Sequence, residues 1–303
     1  MSVTHAIGID LGGTKMLAGV VTREGEVVRR HERATPPTQD ELLAELDQAI
    51  IELLDDSVAA VGLGIPAPID QRRGRVFSAV NTPIAGVDLR DRIRDRHGLP
   101  VGLDNDANCA CIAEWLAGAA RGVSDVVMLT LGTGCGGGVI ANGRPFRGAT
   151  GAGVELGHIV IVHDGRPCQG RCTGRGHLEA YVTGVAATEA AQEAFGPAAD
   201  AHRLVRLANE GETTARAILA DIGRHLGSGM GSLANVFEPR MIVVGGGFGI
   251  AAWEHIIPSA RELLAREALQ PMRDEVGVAR AELGTAAGLI GAAFVAFEAL
   301  AEE

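Results

Sequence analysis

Four side chains able to hold a borderline metal crowd one short stretch: His158, Cys168, Cys172 and His177. Carboxylates stand at its two ends, Glu155 and Glu179, and the residues between are too rich in Gly, Arg and Pro to fill a core. A structural zinc ion wants four thiolate or imidazole ligands at tetrahedral angles, and this Cys2His2 set supplies them with short loops between. Zinc there would fix the loop that carries Glu155 and Glu179, as the organiser of a binding site and not its reactive centre. The competing reading is two free cysteines beside two surface histidines, or a Cys168–Cys172 disulfide, which a reducing compartment disfavours.

Glycine turns offer a second chemistry. They are Asp10-Leu-Gly12-Gly13-Thr14-Lys15, the run Gly132-Thr133-Gly134 to Gly138, and Gly245-Gly246-Gly247. Each alone could be a plain hairpin or a helix-packing device. Together they are the kind of place where backbone N–H groups converge on phosphate oxygens, with the Thr14 and Thr133 hydroxyls as added donors. Asp10 is suited to Mg²⁺ held through water, since Mg²⁺ prefers one or two carboxylates plus water and phosphate. The spacing is not that of a Walker loop. Lys15 is the only lysine in a chain otherwise served by arginine, which suggests that a compact ammonium suits that turn better than a guanidinium fork.

The elements that must position these groups can be read from periodicity. Ala6–Asp10 and Met16–Val21 read as two strands joined through the first glycine turn. Leu42, Leu43, Leu46, Ile50, Leu53 and Leu54 recur with helical period over Gln39–Leu54. Val58–Ile65 is a strand that Pro66 and Pro68 turn into a loop. A helix over Leu89–His97 and a short strand Val101–Leu103 lead into Asp104-Asn105-Asp106-Ala107-Asn108 and a helix over Cys109–Ala119, where Cys109 and Cys111 read as small buried residues. Val126–Leu131, the glycine run 132–138 and Val139-Ile140 repeat the strand, Gly-Thr turn, strand order of residues 6–21, so two related lobes are expected. The chain is mostly helical from Glu179 to Asn235, then follow a strand Met241–Val244, a helix Ile256–Leu269, a strand Val276–Leu283 and a last helix from about Ala287.

A chain of 303 residues, 47% of them apolar, is ample for two lobes. The net charge of −11 gives no basic field for nucleic acid. No basic n-region with an apolar run opens the chain, and the apolar stretch Ala286–Phe297 is shorter than the roughly 18 residues a membrane span needs. Five cysteines, two of them in the metal candidate, fit a reducing location. No membrane or nucleic-acid partner is expected, and the expected location is the cytoplasm.

The order of Asp10-Leu-Gly-Gly-Thr-Lys15, Gly64-Ile-Pro-Ala-Pro68, Asn105-Asp106-Ala-Asn108, Leu131-Gly-Thr-Gly-Cys-Gly-Gly-Gly138, Glu155-Leu-Gly-His158, the cysteine loop and Val244-Gly-Gly-Gly247 resembles the ROK family (repressors, open reading frames and kinases), most closely its bacterial glucokinases. The resemblance implies a two-lobed α/β fold of the actin-like ATPase (RNase H-like) type seen in hexokinase, Hsp70 and actin. The small lobe would be 1–118 plus 286–303, and the large lobe, with the zinc loop, 119–285. It implies an ATP-dependent hexokinase with Mg²⁺ and structural zinc, acting on the 6-hydroxyl of glucose, with Asp106 as the general base; the alternative reading of Asp106 is a helix cap before Ala107. Asn81, Asn105, Asp106, Glu155, His158 and Glu179 would line the sugar site, with His158 holding zinc through one ring nitrogen and sugar through the other. A homodimer or tetramer is implied as well.

This chain departs from the family pattern in two places. His177 stands where the family loop has its last cysteine, and Cys168 and Cys172 are two residues further apart than in that loop. Soon after Pro83, where related glucokinases often carry tryptophan, this chain has none, which leaves glucose, other hexoses such as fructose, N-acetylglucosamine and N-acetylmannosamine open as acceptors. A non-catalytic sugar sensor, or polyphosphate as donor, is also compatible with these residues. A repressor is disfavoured, because only nine residues precede Asp10.

Overall fold

A computed structural model describes residues 4–77 and 82–302. The chain forms two compact units. The first runs up to Gly122 and takes in Pro145–Val154 and the chain from Leu283; the second holds Val123–Arg144 and Glu155–Glu282. The excursion Pro145–Val154 is a segment that the sequence reading placed wholly in the larger lobe.

In the first unit, β1 (His5–Leu11), β2 (Lys15–Val21), β3 (Val27–Ala34) and β4 (Val58–Ile65), with β7 (Val101–Asn105), make a five-stranded sheet in the order β3-β2-β1-β4-β7. The first three strands are antiparallel, and β4 and β7 run parallel to β1. A two-stranded ribbon, β5 (Ile69–Asp70) and β6 (Arg75–Val76), follows the proline turn. Helix α1 (Gln39–Leu53) is capped by the Thr38 side chain, which accepts from the Glu41 N–H; of the expected stripe it buries Leu42, Leu46, Ile50 and Leu53, with Leu43 half-buried, whereas Leu54 lies past its end and is exposed. Helix α2 (Leu89–His97) ends on Gly98 in the left-handed conformation. Helix α3 covers Asp106–Ala117, so it begins three residues before the start expected at Cys109. Cys109 and Cys111 are buried in it, as read.

The C-terminal helix, Ala287–Ala301, lies across this sheet on a row of glycines. Gly8, Gly62 and Gly102 stand side by side on β1, β4 and β7. A Cβ on each would lie 2.1 Å from the Leu289 carbonyl, 1.8 Å from the Ala292 carbonyl and 2.2 Å from the Val295 carbonyl. Only residues without side chains let helix and sheet backbones come this close. The same helix corrects an expectation: Gly284–Ala301 forms an 18-residue window with mean hydropathy 1.6, long enough by length and composition to span a bilayer. Its apolar residues are explained by the sheet and by α3, against which they are buried.

The second unit repeats the plan. Strands β8 (Val126–Leu131), β9 (Cys135–Ala141), β10 (Arg144–Pro145), β11 (Met241–Gly245) and β12 (Gly277–Arg280) lie in the order β10-β9-β8-β11-β12, again an antiparallel hairpin followed by parallel strands. The hairpin turn at Asn142 and Gly143 has φ of 52° and 68°, the conformation an Asn-Gly pair adopts readily. Four helices follow the metal loop: α4 (Glu179–Val182), α5 (Gly184–Phe195), α6 (Ala201–Asn209) and the long α7 (Thr213–Phe237). Three more, α8 (Gly247–Ala251), α9 (Trp253–Glu267) and α10 (Met272–Glu275), complete the unit.

Three expectations change here. The glycine loop is only Gly132–Gly134, because Cys135–Gly138 already belong to β9. The helix expected from Ile256 begins at Trp253 and carries Pro258 inside it, and α8 opens directly on Gly247. The late strand is Gly277–Arg280, shorter than Val276–Leu283.

Candidate active site

In the first unit the predicted residues gather at the carboxyl ends of β1, β4 and β7, where ligands bind in sheets of this kind. The turn Gly12–Lys15 is closed by the Gly12 N–H donating to the Lys15 carbonyl at 2.9 Å. Thr35 braces it from β3's end, its hydroxyl donating to the Gly12 carbonyl at 2.7 Å and its N–H to the Thr14 carbonyl at 3.0 Å. With these carbonyls engaged from behind, Gly13, Thr14 and Lys15 are exposed. The Lys15 ammonium pairs with Glu32 at 3.1 Å.

The cap of α3 is Asn105, not Asp106. Its Oδ1 accepts from the N–H groups of Ala107 at 2.9 Å and Asn108 at 3.3 Å, which leaves Asp106 as the first helical residue. Asp106 Oδ1 also accepts from the Ala107 N–H at 2.9 Å, so one carboxylate oxygen is fixed by the backbone. Burial raises the Asp106 carboxyl above its ordinary range. Asp10 is pushed up to about 7, by burial first and then by the Asp106 charge, with Lys15 acting in the opposite direction. Two half-buried carboxylates, one of them raised by the charge of the other, suit a place where a cation is held or a proton transferred. Asn81 lies outside the described residues.

Asp104, which precedes this motif, has a role of its own. It is fully buried, accepts from Asn108 Nδ2 at 2.9 Å and from the Asn105 N–H at 2.8 Å, and receives Arg147 Nε at 2.5 Å. Arg147 also donates to Glu298 on the C-terminal helix at 2.6 Å. A buried acid, an arginine from the Pro145–Val154 excursion and a helix glutamate therefore hold the strand end that carries Asn105 and Asp106. A charged triplet spread over 194 residues of separation between 104 and 298 leaves no local signal in the sequence.

In the second unit the metal candidates come together. His158, Cys168, Cys172 and His177 offer ligand atoms that all lie within 4.8 Å of one another. His158 Nδ1 is 3.6 Å from Cys168 Sγ, His177 Nδ1 is 3.5 Å from Cys172 Sγ, and the two Nδ1 atoms are 3.2 Å apart. Tetrahedral zinc with its usual bond lengths has edges of about 3.5 Å between N and S and about 3.3 Å between N and N. The geometry fits zinc with His177 as the fourth ligand. It does not contain a disulfide, since both cysteines are free. The Gly174 N–H points at Cys172 Sγ at 3.4 Å, a bond that supports a thiolate. Burial, and then its neighbour Cys172, push the Cys168 thiol up to about 12, so a cation must displace its proton.

Local backbone structure delivers these ligands. Leu156–His158 is a single 3-10 turn, with Leu156 buried and the His158 N–H bonded to the Glu155 carbonyl at 3.0 Å. At Gly157 a Cβ would lie 2.0 Å from the Cys135 carbonyl, so this turn can press against β9 only with glycine. Glu155 is exposed at its start. Both histidines turn Nδ1 to the cluster, which leaves His158 Nε2 for another partner. Glu179, expected at the sugar, accepts from the Cys135 N–H through Oε2 at 2.9 Å, and its Oε1 lies 3.7 Å from Cys168 Sγ. Gly132–Gly134 is a tight turn with the Gly132 N–H on the Gly134 carbonyl at 2.9 Å, next to Thr133. Gly245 ends β11, Gly246 has φ of 80°, and Gly247 opens α8, so this third turn joins a strand to a helix.

Comparison with known proteins identifies the family and the fold. The sequence model described as the ROK family matches residues 6–299. A glucokinase from Streptomyces coelicolor is 34% identical over 313 residues, 96% of this chain and 97% of that one. An N-acetyl-D-glucosamine kinase from Pectobacterium carotovorum is 32% identical, covering 95% of this chain and 97% of its own. Among solved structures, a ROK family glucokinase from Streptomyces griseus in complex with glucose and AMPPNP is 34% identical, covers 97% of this chain and 99% of its own, and superposes with a TM-score of 0.82. The fold is therefore the actin-like ATPase fold of the ROK sugar kinases. The chain belongs to the ROK family.

Proposed function

We propose that this protein is a glucokinase, transferring the γ-phosphate of ATP to the 6-hydroxyl of glucose with Asp106 as general base. That it is an ATP-dependent sugar kinase follows from its kinship with the glucokinases and with the glucose and AMPPNP complex. The observation that carries the finer reading is Asp106 itself. It is half-buried just past the end of β7, held by one oxygen, and raised in pKa by desolvation so that it takes a proton more readily than an ordinary aspartate.

Each unit has its own part in the proposal. In the first, Asp106 takes the hydroxyl proton, Asn105 fixes the helix start that carries it, and Asp10 holds Mg²⁺ while the N–H groups of Gly13 and Thr14 meet phosphate. In the second, Thr133, Gly134 and Gly245–Gly247 meet the nucleotide, and Glu155, His158 and Glu179 meet sugar hydroxyls. Mg²⁺ when bound would offset charge on the phosphates. Zinc when bound would brace the loop that carries His158 and Glu179. The assembly we propose is a homodimer.

A coupled ADP-release assay over glucose, fructose, mannose, N-acetylglucosamine and N-acetylmannosamine tests the substrate. Glucose should give the highest kcat/KM; a preference for N-acetylglucosamine would move the chain to the second reading, which the Pectobacterium relative favours. Asp106→Asn should lower kcat by about 10²–10⁴-fold, the usual contribution of a positioned base, with sugar KM little changed. Wild-type turnover in that variant would remove Asp106 from the mechanism.

A further inference from the structure

The loop between Cys168 and Cys172 holds Gln169. Its side chain does not point into solvent. Nε2 donates to Thr183 Oγ1 at 2.6 Å and to the main-chain carbonyl of Glu179 at 3.3 Å. Thr183 is fully buried and caps α5, its Oγ1 accepting from the Ala186 N–H at 3.2 Å. The next residue, Gly184, donates its N–H to the Gly132 carbonyl at 2.8 Å. At the other end of the same turn the Cys135 N–H is taken by the Glu179 carboxylate at 2.9 Å.

The turn Gly132–Cys135 is thus held at both ends, by Gly184 at one and by Glu179 at the other. Gln169 bonds directly to Glu179 and to the residue before Gly184. A single amide therefore joins the metal loop to both anchors of the turn, through groups that are otherwise main chain or buried. Two donors on one planar amide fix a direction as well as a distance, so the loop cannot shift without loading both anchors.

We propose that Gln169 is a positioning residue for the donor phosphates: it ties the metal loop to the turn Gly132–Cys135, so that this loop sets nucleotide binding as well as sugar binding. The inference rests on the reading of that turn as a phosphate turn.

The test uses the full zinc-loaded chain and Gln169→Leu, which keeps the bulk of the side chain and removes both donors. The loss of one or two neutral hydrogen bonds should raise KM for ATP about five-fold. KM for the hexose and kcat should stay within about two-fold, with one zinc still bound per chain. Amide hydrogen exchange over residues 130–138 should quicken in the variant, and over β11 it should not. An unchanged ATP KM, or unchanged exchange at 130–138, overturns the proposal. So does a joint rise of both KM values with loss of zinc, which would make Gln169 only a brace of the metal loop. Gln169→Asn, too short to reach both partners, should behave like Gln169→Leu, and wild-type values in it also count against the proposal. If the wild-type chain phosphorylates no sugar, the kinase reading fails on its own, and AMPPNP titration with the exchange measurement still decides the role of Gln169.

Discussion

Replacing Asp10 by asparagine should make the protein more stable at pH 8 while removing most of its activity. The Asp10 carboxyl is raised from 3.8 to about 7, by burial first and then by Asp106. A folded-state pKa above the unfolded one means that the folded chain holds the proton more tightly. The stability owed to this group is therefore fully present below pH 3.8 and is lost as pH rises through about 7. Between those limits, at about 1.4 kcal/mol per pH unit, the loss comes to roughly 4 kcal/mol. A carboxamide does not titrate in this range, so Asp10→Asn should be spared that loss. For a unit of this size roughly 4 kcal/mol corresponds to roughly 10 °C in Tm. Thermal scans without Mg²⁺ or nucleotide, at intervals from pH 4 to pH 8, should show the two proteins close together at pH 4 and separating as pH rises. Adding Mg²⁺ with AMPPNP should narrow the gap, since a cation beside the carboxylate favours its charged form. Parallel Tm profiles across that range would refute the reasoning, for then Asp10 would be neither buried enough nor close enough to Asp106 to matter. The pairing of a stabilised variant with lost turnover is what a strained charge at a functional site produces.

Arg147→Met leaves Asp104 fully buried without its ion-pair partner, and should destabilise the protein by roughly 3–5 kcal/mol in urea unfolding; Arg147→Met with Asp104→Asn should recover much of that. Gly62→Ala places a methyl group where the Ala292 carbonyl stands 1.8 Å away, so the C-terminal helix must shift, and Tm should fall by the equivalent of roughly 1–3 kcal/mol or more. His177→Ala should lower zinc content and raise KM for the hexose, whereas His177→Cys, which supplies a thiolate in its place, should keep one zinc per chain by elemental analysis; equal zinc in all three proteins would exclude His177 as a ligand.

What could be read from the sequence was whatever is local. The two Gly-Thr hairpins were legible because strand, turn and strand are consecutive, and their repetition pointed to two related lobes; the common strand order of the two sheets is visible only in the structure. The metal set was legible because its four ligands fall within one loop. Asn105 and Asp106 are adjacent and both can cap a helix, so the sequence could not tell which one does; only the bonds from Ala107 and Asn108 to Asn105 decide it. The Asp104, Arg147 and Glu298 triplet, and the amide of Gln169 over Thr183, depend on contacts between distant or differently oriented segments, for which composition and period carry no record.

Glycines show the difference most clearly. Read one at a time, Gly8, Gly62 and Gly102 look like weak points in strands, since glycine there packs nothing. In register they form the groove for the C-terminal helix, and that groove bears on the chemistry. Side chains on a strand alternate between faces, so Gly8 and Asp10 face the same way on β1. The helix that lies on Gly8 through Leu289 reaches Asp10 with its first turn, where a Cβ on Gly288 would stand 2.4 Å from the Asp10 carboxylate. The close approach that makes the core compact is then also what covers Asp10 and takes it out of water, and its high pKa follows from the packing. Burial is the largest cause of the rise to about 7, ahead of the Asp106 charge and against the pull of Lys15. Thus the carboxylate proposed for Mg²⁺ is made costly to ionise by the same glycine row that seats the last helix.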